Sequence, residues 1–250
     1  MHNKIFKKIL GLFGYKLIDK KVFKNDRLLS TKSHLKINRL LENLFKEKKI
    51  NNLIQIGAND GERFDILNTY IKKYKIKSLL VEPIKQNFDK LKNYYSNCNF
   101  IDFENSAISV NNEIYKLYKV KSKYIYKYSD HIPGITSFDI KHLLKHGVYK
   151  HHISSENVKA ISIEKLIMKY KLKNLDLLFI DAEGYDGKIV IDFLELNTFK
   201  PIIILEYIHI TNEIFKILIA KLEKNNYIFF SLNENLICYP DNDLRNINFK

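Results

Sequence analysis

The sequence predicts an α/β protein: a doubly wound, mostly parallel seven-stranded sheet closed by an antiparallel C-terminal hairpin. Three observations carry this. From Asn52 onward, short apolar runs alternate with amphipathic stretches, the signature of βα units around a parallel sheet. The first run ends in a glycine turn, Gly57 to Gly61. The tail holds two more apolar runs, Tyr227 to Ser231 and Leu236 to Tyr239, joined by Asn233 to Asn235, and a parallel sheet tolerates such a hairpin at its edge.

Residues 1–50 read as a basic helical segment ahead of the domain that spans 51–250. Ile5, Ile9 and Leu12 share one helical face while Lys4, Lys7 and Lys8 lie elsewhere. Such a helix packs on its own domain or, less commonly, rests on an anionic membrane surface. His34 to Lys48 follows as a second helix, with Leu35, Leu40, Leu41, Leu44 and Phe45 as its apolar stripe. The strands expected next are Leu53–Ile56, Ser78–Val81, Phe100–Phe103, Leu175–Ile180 and Ile202–Leu205. The helices expected between them are Arg63–Tyr74, Gln86–Tyr95, Ile163–Tyr170, Tyr185–Leu194 and Glu213–Lys224. The stretch from Tyr115 to Ser155 fits no βα unit and reads as an inserted loop region rich in Tyr, Lys and His.

With 250 residues, 46% of them hydrophobic, the chain can bury one sizeable core. Its two cysteines, Cys98 and Cys238, form no CxxC pair, which suits a reducing compartment. No apolar run of about 18 residues offers a membrane span, and no small-x-small cleavage site follows the basic start. A cytoplasmic address is expected, with the inner face of the membrane as the alternative if the N-terminal helix binds lipid. The net charge of +14 invites a nucleic-acid reading. Only four of the 42 basic residues are arginine (Arg27, Arg39, Arg63, Arg245), however, and arginine is the side chain that clamps phosphate and reads guanine edges. Unclustered lysine spread over solvated faces disfavours a nucleic-acid partner.

In an open α/β sheet, ligands bind beyond the carboxyl ends of the strands. Glu82 and Pro83 follow the second predicted strand, Glu104, Asn105 and Ser106 the third, Asp181, Glu183 and Gly184 the fourth, and Glu206 and His209 the fifth. Carboxylates thus gather at one edge of a basic protein. Gly57 and Gly61 let the backbone turn tightly against a ligand. Glu82 lies 21 residues past Gly61, close to the spacing of roughly 20 at which an acid meets a ribose diol. A dinucleotide fingerprint would need further glycines at 59 and 62, where Asn59 and Glu62 stand, so the pyrophosphate cradle is missing and a dehydrogenase is disfavoured.

The motifs QIGANDG (Gln55–Gly61), VEP (Val81–Pro83), NSAIS (Asn105–Ser109) and FIDAEGYDGKIV (Phe179–Val190) resemble those of the FkbM-type methyltransferases over roughly Asn51 to Tyr207. The resemblance implies a Rossmann-like class I methyltransferase that uses S-adenosylmethionine, commonly on hydroxyls of sugars or natural products. It implies that Gly57 and its neighbours Asn59, Asp60 and Gly61 lie beside the methionine moiety. It puts Glu82, with Pro83, on the ribose, and Asn105, Ser106 and Ala107 beside the adenine. Asp181 and Glu183 would stand where donor and acceptor meet. The position of Gln55 is commonly acidic in this family, so Asp60 or Asp181 is expected to compensate.

Methyl transfer needs an aligned acceptor oxygen and a group that removes its proton. Asp181 and Glu183, two apart on a strand end, share a face and are the first candidates, with His209 and then His131 next. Ser137, His131 and Glu206 are expected to touch the acceptor, a sugar or another small molecule, with Tyr124, Tyr126 and Tyr128 of the inserted region offering aromatic faces. His142 and His146 are four apart and would share a helical face, but with no HExxH pattern and no nearby cysteine the sequence assigns no metal. An RNA methyltransferase and an inactive cofactor-binding fold serving glycan assembly are the competing readings.

Overall fold

The computed structural model describes residues 37–241, apart from 48, 64, 111–113, 130–131 and 133–134. The basic N-terminal helix expected to carry Ile5, Ile9 and Leu12 lies outside the described residues, as does His131. Helix α1 (Ile37–Lys46) leads into strand β1 (Asn52–Ile56), followed by α2 (Asn68–Tyr74), β2 (Lys77–Val81), α3 (Lys85–Tyr94) and β3 (Ile101–Glu104). The chain then forms β4 (Ala107–Ile108), β5 (Ile114–Val120), β6 (Thr136–Ser137), α4 (Ile140–Lys145) and β7 (Ile153–Ile161). It returns to the main sheet through α5 (Ile163–Lys169), β8 (Leu177–Ile180), α6 (Asp186–Leu196), β9 (Ile202–Glu206), α7 (Asn212–Lys224), β10 (Tyr227–Leu232) and β11 (Asn235–Pro240).

Seven strands form the main sheet in the order β10-β11-β9-β8-β1-β2-β3. Strands β3, β2, β1, β8 and β9 run parallel, and β11 lies antiparallel between β9 and β10. The expected C-terminal hairpin is therefore present, and β11 is the one reversed strand. Each central strand feeds two cores by its alternation. Ile54, Ile56, Leu79, Val81, Leu178, Ile180, Ile203 and Leu205 face α5, α6 and α7. Leu53, Leu80, Leu177, Phe179, Ile202 and Ile204 face α1, α2 and α3 on the other side. Strands buried on both faces carry near-continuous apolar runs because each alternate side chain has a core to enter. The start of the sheet is pinned by Asp176, whose carboxylate accepts the Asn51 and Asn52 N–H groups at 2.9 and 2.8 Å.

The region expected as an inserted loop is corrected by the structure. Strands β4, β7, β5 and β6 make a second sheet, with the long β5–β7 pair antiparallel across seven residue pairs. Val120, Ile132, Ile135, Leu143, Val148 and Ile153 give it a small core of its own. β5 alternates polar and apolar residues only weakly, and its partner lies more than 30 residues away, so no local pattern announced the pairing. Helix α2 also begins later than expected, at Asn68, since the turn from Gly57 to Gly61 comes before it.

Candidate functional site

Strand order reverses between β1 and β8, and a crevice must open beyond their carboxyl ends. A cleft of about 560 Å³ lies there, within the size range of small-molecule sites. One half is walled by Gln55, Gly57, Asn59 and Glu82, and the other by Asp181, Glu183, Glu206, His209 and Glu234.

The first half is built from the ends of β1 and β2. Gly57 has φ +84°, and a Cβ there would sit 1.9 Å from the carbonyl oxygen of Asp181, so only glycine permits β1 to turn this close to β8. Gly61 has φ +76° and would press a Cβ on Leu91 at 2.7 Å. Between them Asn59 takes a left-handed backbone and donates its N–H to Glu82 Oε2 at 3.0 Å, while the Ile84 N–H reaches Glu82 Oε1 at 2.9 Å. Glu82 is 4% exposed, and burial pushes its carboxyl up to about 7. Asn105 donates from Nδ2 to the carbonyls of Glu82 and Pro83, at 2.8 and 3.1 Å, and so braces the β2 exit. Ser106 and Ala107 line a narrower slot beside this cleft with Pro83, Phe138 and Tyr185. The Ser106 hydroxyl is buried there with no protein partner.

Gln55, 2% exposed, donates from Nε2 to Asp65 Oδ1 at 3.1 Å. Gln55 Oε1 and Asp65 Oδ2 are both buried without a donor, and burial pushes the Asp65 carboxyl up to about 6. The acid beside Gln55 is thus Asp65. Asp60 instead shapes its own turn, accepting the N–H groups of Glu62 and Arg63 at 3.2 and 2.9 Å.

The second half collects acids and imidazoles. Asp181 is open to solvent yet recessed among protein atoms, and burial followed by Glu234 raises its carboxyl. Glu183 holds a left-handed backbone at φ +51°, a conformation that costs energy in a residue with a Cβ. Burial, then Asp181, pushes it up to about 8. Its Oε2 lies 3.0 Å from His142 Nε2, and burial lowers His142. Near pH 7 these two therefore meet as a neutral hydrogen bond rather than as an ion pair. Asp186, fully buried, clamps the loop: Oδ1 accepts from Ala182 at 3.1 Å and Oδ2 from Gly184 at 3.0 Å. Glu206 is pushed up to about 8 by burial and then by Asp181. His209 is pushed down to about 4 by burial and then by His142 and His146, with Nε2 3.7 Å from Glu206 Oε2.

Most residues that the sequence singled out come together here. Gln55, Gly57, Asn59, Glu82, Asp181, Glu183, Glu206 and His209 share the cleft, while Pro83, Ser106, Ala107 and Ser137 share the adjoining slot. Asp60, Gly61 and Asn105 support those walls. Ser137 Oγ accepts the Asp139 N–H at 3.3 Å. The tyrosines expected on the acceptor side are elsewhere: Tyr124 stacks on His152 at 3.8 Å, and Tyr128 bonds the same histidine through its hydroxyl at 2.6 Å. Tyr126 is exposed, and the inserted sheet offers the cleft Ile135, Thr136 and His146 instead. Asp65, Asp186 and Glu234 carried no local signal for this role. His142 and His146 did carry one, their four-residue spacing.

The methyltransferase FkbM domain family matches residues 55–229. No curated protein matches the chain. Among solved structures, it is similar to a methyltransferase from Geobacter sulfurreducens at 12% identity, covering 96% of this chain and 97% of that one, with a TM-score of 0.44. A Methyltransferase FkbM from Methylobacillus flagellatus KT shares 12% identity over 76% of this chain and 44% of its own, with a TM-score of 0.44. An O-methyltransferase from Bacillus cereus in complex with SAH shares 10% over 94% and 96%, with a TM-score of 0.41.

Proposed function

The chain belongs to the FkbM-domain methyltransferases, and from that premise we propose that it is an S-adenosylmethionine-dependent O-methyltransferase acting on a hydroxyl of a sugar or another small metabolite. The observation that carries this reading is the meeting of the Gly57 turn, buried Glu82 and the acidic wall at one switch point. The residues fit the cofactor group by group. Gln55 Oε1 and Asp65 Oδ2 are two adjacent buried acceptors without donors, suited to an ammonium. Glu82, held by two backbone N–H groups, suits a ribose diol, and the orphaned Ser106 hydroxyl in an apolar slot suits an adenine edge. Bound there, S-adenosylmethionine supplies a methyl group on a cationic sulfur.

The chain's own residues do the rest. Asp181 and Glu234 are the exposed carboxylates of the cleft, and Asp181 is the one next to Gly57, so it accepts a hydrogen bond from the acceptor hydroxyl and takes its proton. Its raised pKa makes it a better base than a free aspartate. Glu183, protonated near neutral pH and bonded to His142, tethers the inserted sheet over the cleft. His209 stays neutral and offers a lone pair to the acceptor side. Calorimetry with S-adenosylhomocysteine and with NAD, followed by labelled-methyl assays on a panel of cell-surface sugars, tests the reading. Binding of the first ligand and methylation of a sugar hydroxyl are expected. Tight NAD binding with no response to S-adenosylhomocysteine would sink it.

A further inference from the structure

Helix α4 of the inserted sheet lies across the acidic half of the cleft and brings a cluster the function above leaves largely idle. His142 lies on α4 and His146 caps its C-terminal end one turn later, and the His209 ring from the loop after β9 meets both, with centroids 4.6 and 5.1 Å away. One ligand-capable nitrogen from each of the three lies within 4.8 Å of the others. Glu183 adds an oxygen 3.0 Å from His142, and Glu183, Glu206 and His209 form a second such triad.

We propose that His142, His146, His209 and Glu183 form a binding site for one first-row divalent ion of the zinc and cobalt type. Three imidazoles and one carboxylate are the ligand set those borderline ions prefer over calcium or magnesium. A tetrahedral ion with ligand distances near 2.0–2.1 Å needs neighbouring ligand atoms about 3.3 Å apart, so the three imidazole nitrogens, within 4.8 Å of one another, must each move inward by about 1 Å or less. The separation of 3.0 Å between His142 and Glu183 already matches.

A further feature points to a cation. The surrounding wall gathers Asp181, Glu206 and Glu234 in the same half of the cleft, and a divalent charge would offset their negative charge. Two of the ligands come from the domain's own strand ends and two from α4 and its C-terminal end in the inserted sheet, so the ion would also fasten that sheet over the cleft. His146, His209 and Glu183 line the cleft, and an ion there would polarise an acceptor oxygen. That last role, unlike the site itself, rests on the methyl-transfer reading.

Titrating the chelator-treated full chain with Zn²⁺ by calorimetry, and with Co²⁺ while following its visible spectrum, tests the site without cofactor or acceptor. One ion per chain is expected, with an intense tetrahedral Co²⁺ spectrum. His142→Ala and His209→Gln should each weaken it by at least about 100-fold, more than losing an outer-shell partner usually costs. His151→Ala with His152→Ala should leave it unchanged, and circular dichroism shows whether each variant is folded. No saturable one-to-one binding, or wild-type affinity in folded His142→Ala and His209→Gln, would overturn the site. Methyl transfer that survives chelation would remove only the ion's part in the reaction, and failure of every acceptor in the panel would leave the ion site standing.

Discussion

The two halves of the cleft were built in different ways. The glycine half comes from three consecutive strand exits, β1, β2 and β3, within residues 55–107, and its parts are held by hydrogen bonds between neighbours in that stretch. The acidic half is assembled from β8, β9, the β10–β11 turn and α4, spanning residues 142–235. The first is rigid by backbone geometry. The second is held by packed acids and histidines whose charges burial suppresses. A change in the first should break geometry, and a change in the second should alter titration and chemistry.

The largest expected effect lies at the seam. Gly57→Ala puts a Cβ 1.9 Å from the backbone of Asp181 at a φ of +84°, so the two exits must separate. A loss of at least about 3 kcal/mol in denaturant unfolding is expected, the upper end of the cost of a disfavoured backbone conformation plus the clash. Gly147→Ala is the control, because it shares a positive φ of +80° but meets nothing within 4 Å. It should cost only about 1–2 kcal/mol. Equal losses at the two sites would show that the β1–β8 seam is not tight.

Next comes Asp181→Asn, which keeps shape and removes the base. Turnover should fall by about 100-fold, or about 2.7 kcal/mol in the barrier, with little change in S-adenosylhomocysteine affinity. Loss of both together would move Asp181 from the acceptor to the cofactor. Glu82→Gln reverses that pattern: calorimetry should give weaker S-adenosylhomocysteine binding by about 1–3 kcal/mol, the scale of a charge-assisted hydrogen bond. Unchanged affinity would exclude Glu82 from the cofactor half.

Legibility divides along the same line. The glycine half could be read because its chemistry is written in short motifs: an apolar run, a glycine turn, and an acid at the next strand exit. The main sheet was equally readable, since alternation and βα rhythm are local. What escaped the sequence depends on distant pairing. β5 meets β7 through contacts between residues such as Tyr115 and Val158, and nothing within either segment encodes that partner. Asp65 looks like any polar residue near a helix start until the fold sets it against Gln55. Asp186 sits inside a motif that was read for its two preceding acids, and its role as a loop clamp appears only with its two backbone donors. His142 and His146 showed a ligand-like spacing, but the residue that closes the cluster, His209, is more than 60 positions away.

The smallest effect tests whether burial really suppresses charge in the acidic half. Glu183 titrates near 4.5 when unfolded and at about 8 when folded. Below about 4.5 it is protonated in both states and costs nothing relative to glutamine. Between these values the folded protein holds a proton the unfolded chain has released, so its contribution to stability is lost as pH rises through the folded pKa. Glu183→Gln removes this titration while keeping a hydrogen-bonding partner for His142. The variant should therefore match the wild type near pH 4.5 and exceed it progressively toward pH 8, by about 1–2 kcal/mol or a few degrees in Tm. Titration of His209, lowered to about 4, is common to both proteins and cancels in the difference. The melts belong in chelator, so that no divalent ion neutralises the carboxylate. A stability difference that stays flat from pH 4.5 to 8 would mean that Glu183 is already ionised in the folded protein, and the two halves of the cleft would then differ in composition but not in their electrostatics.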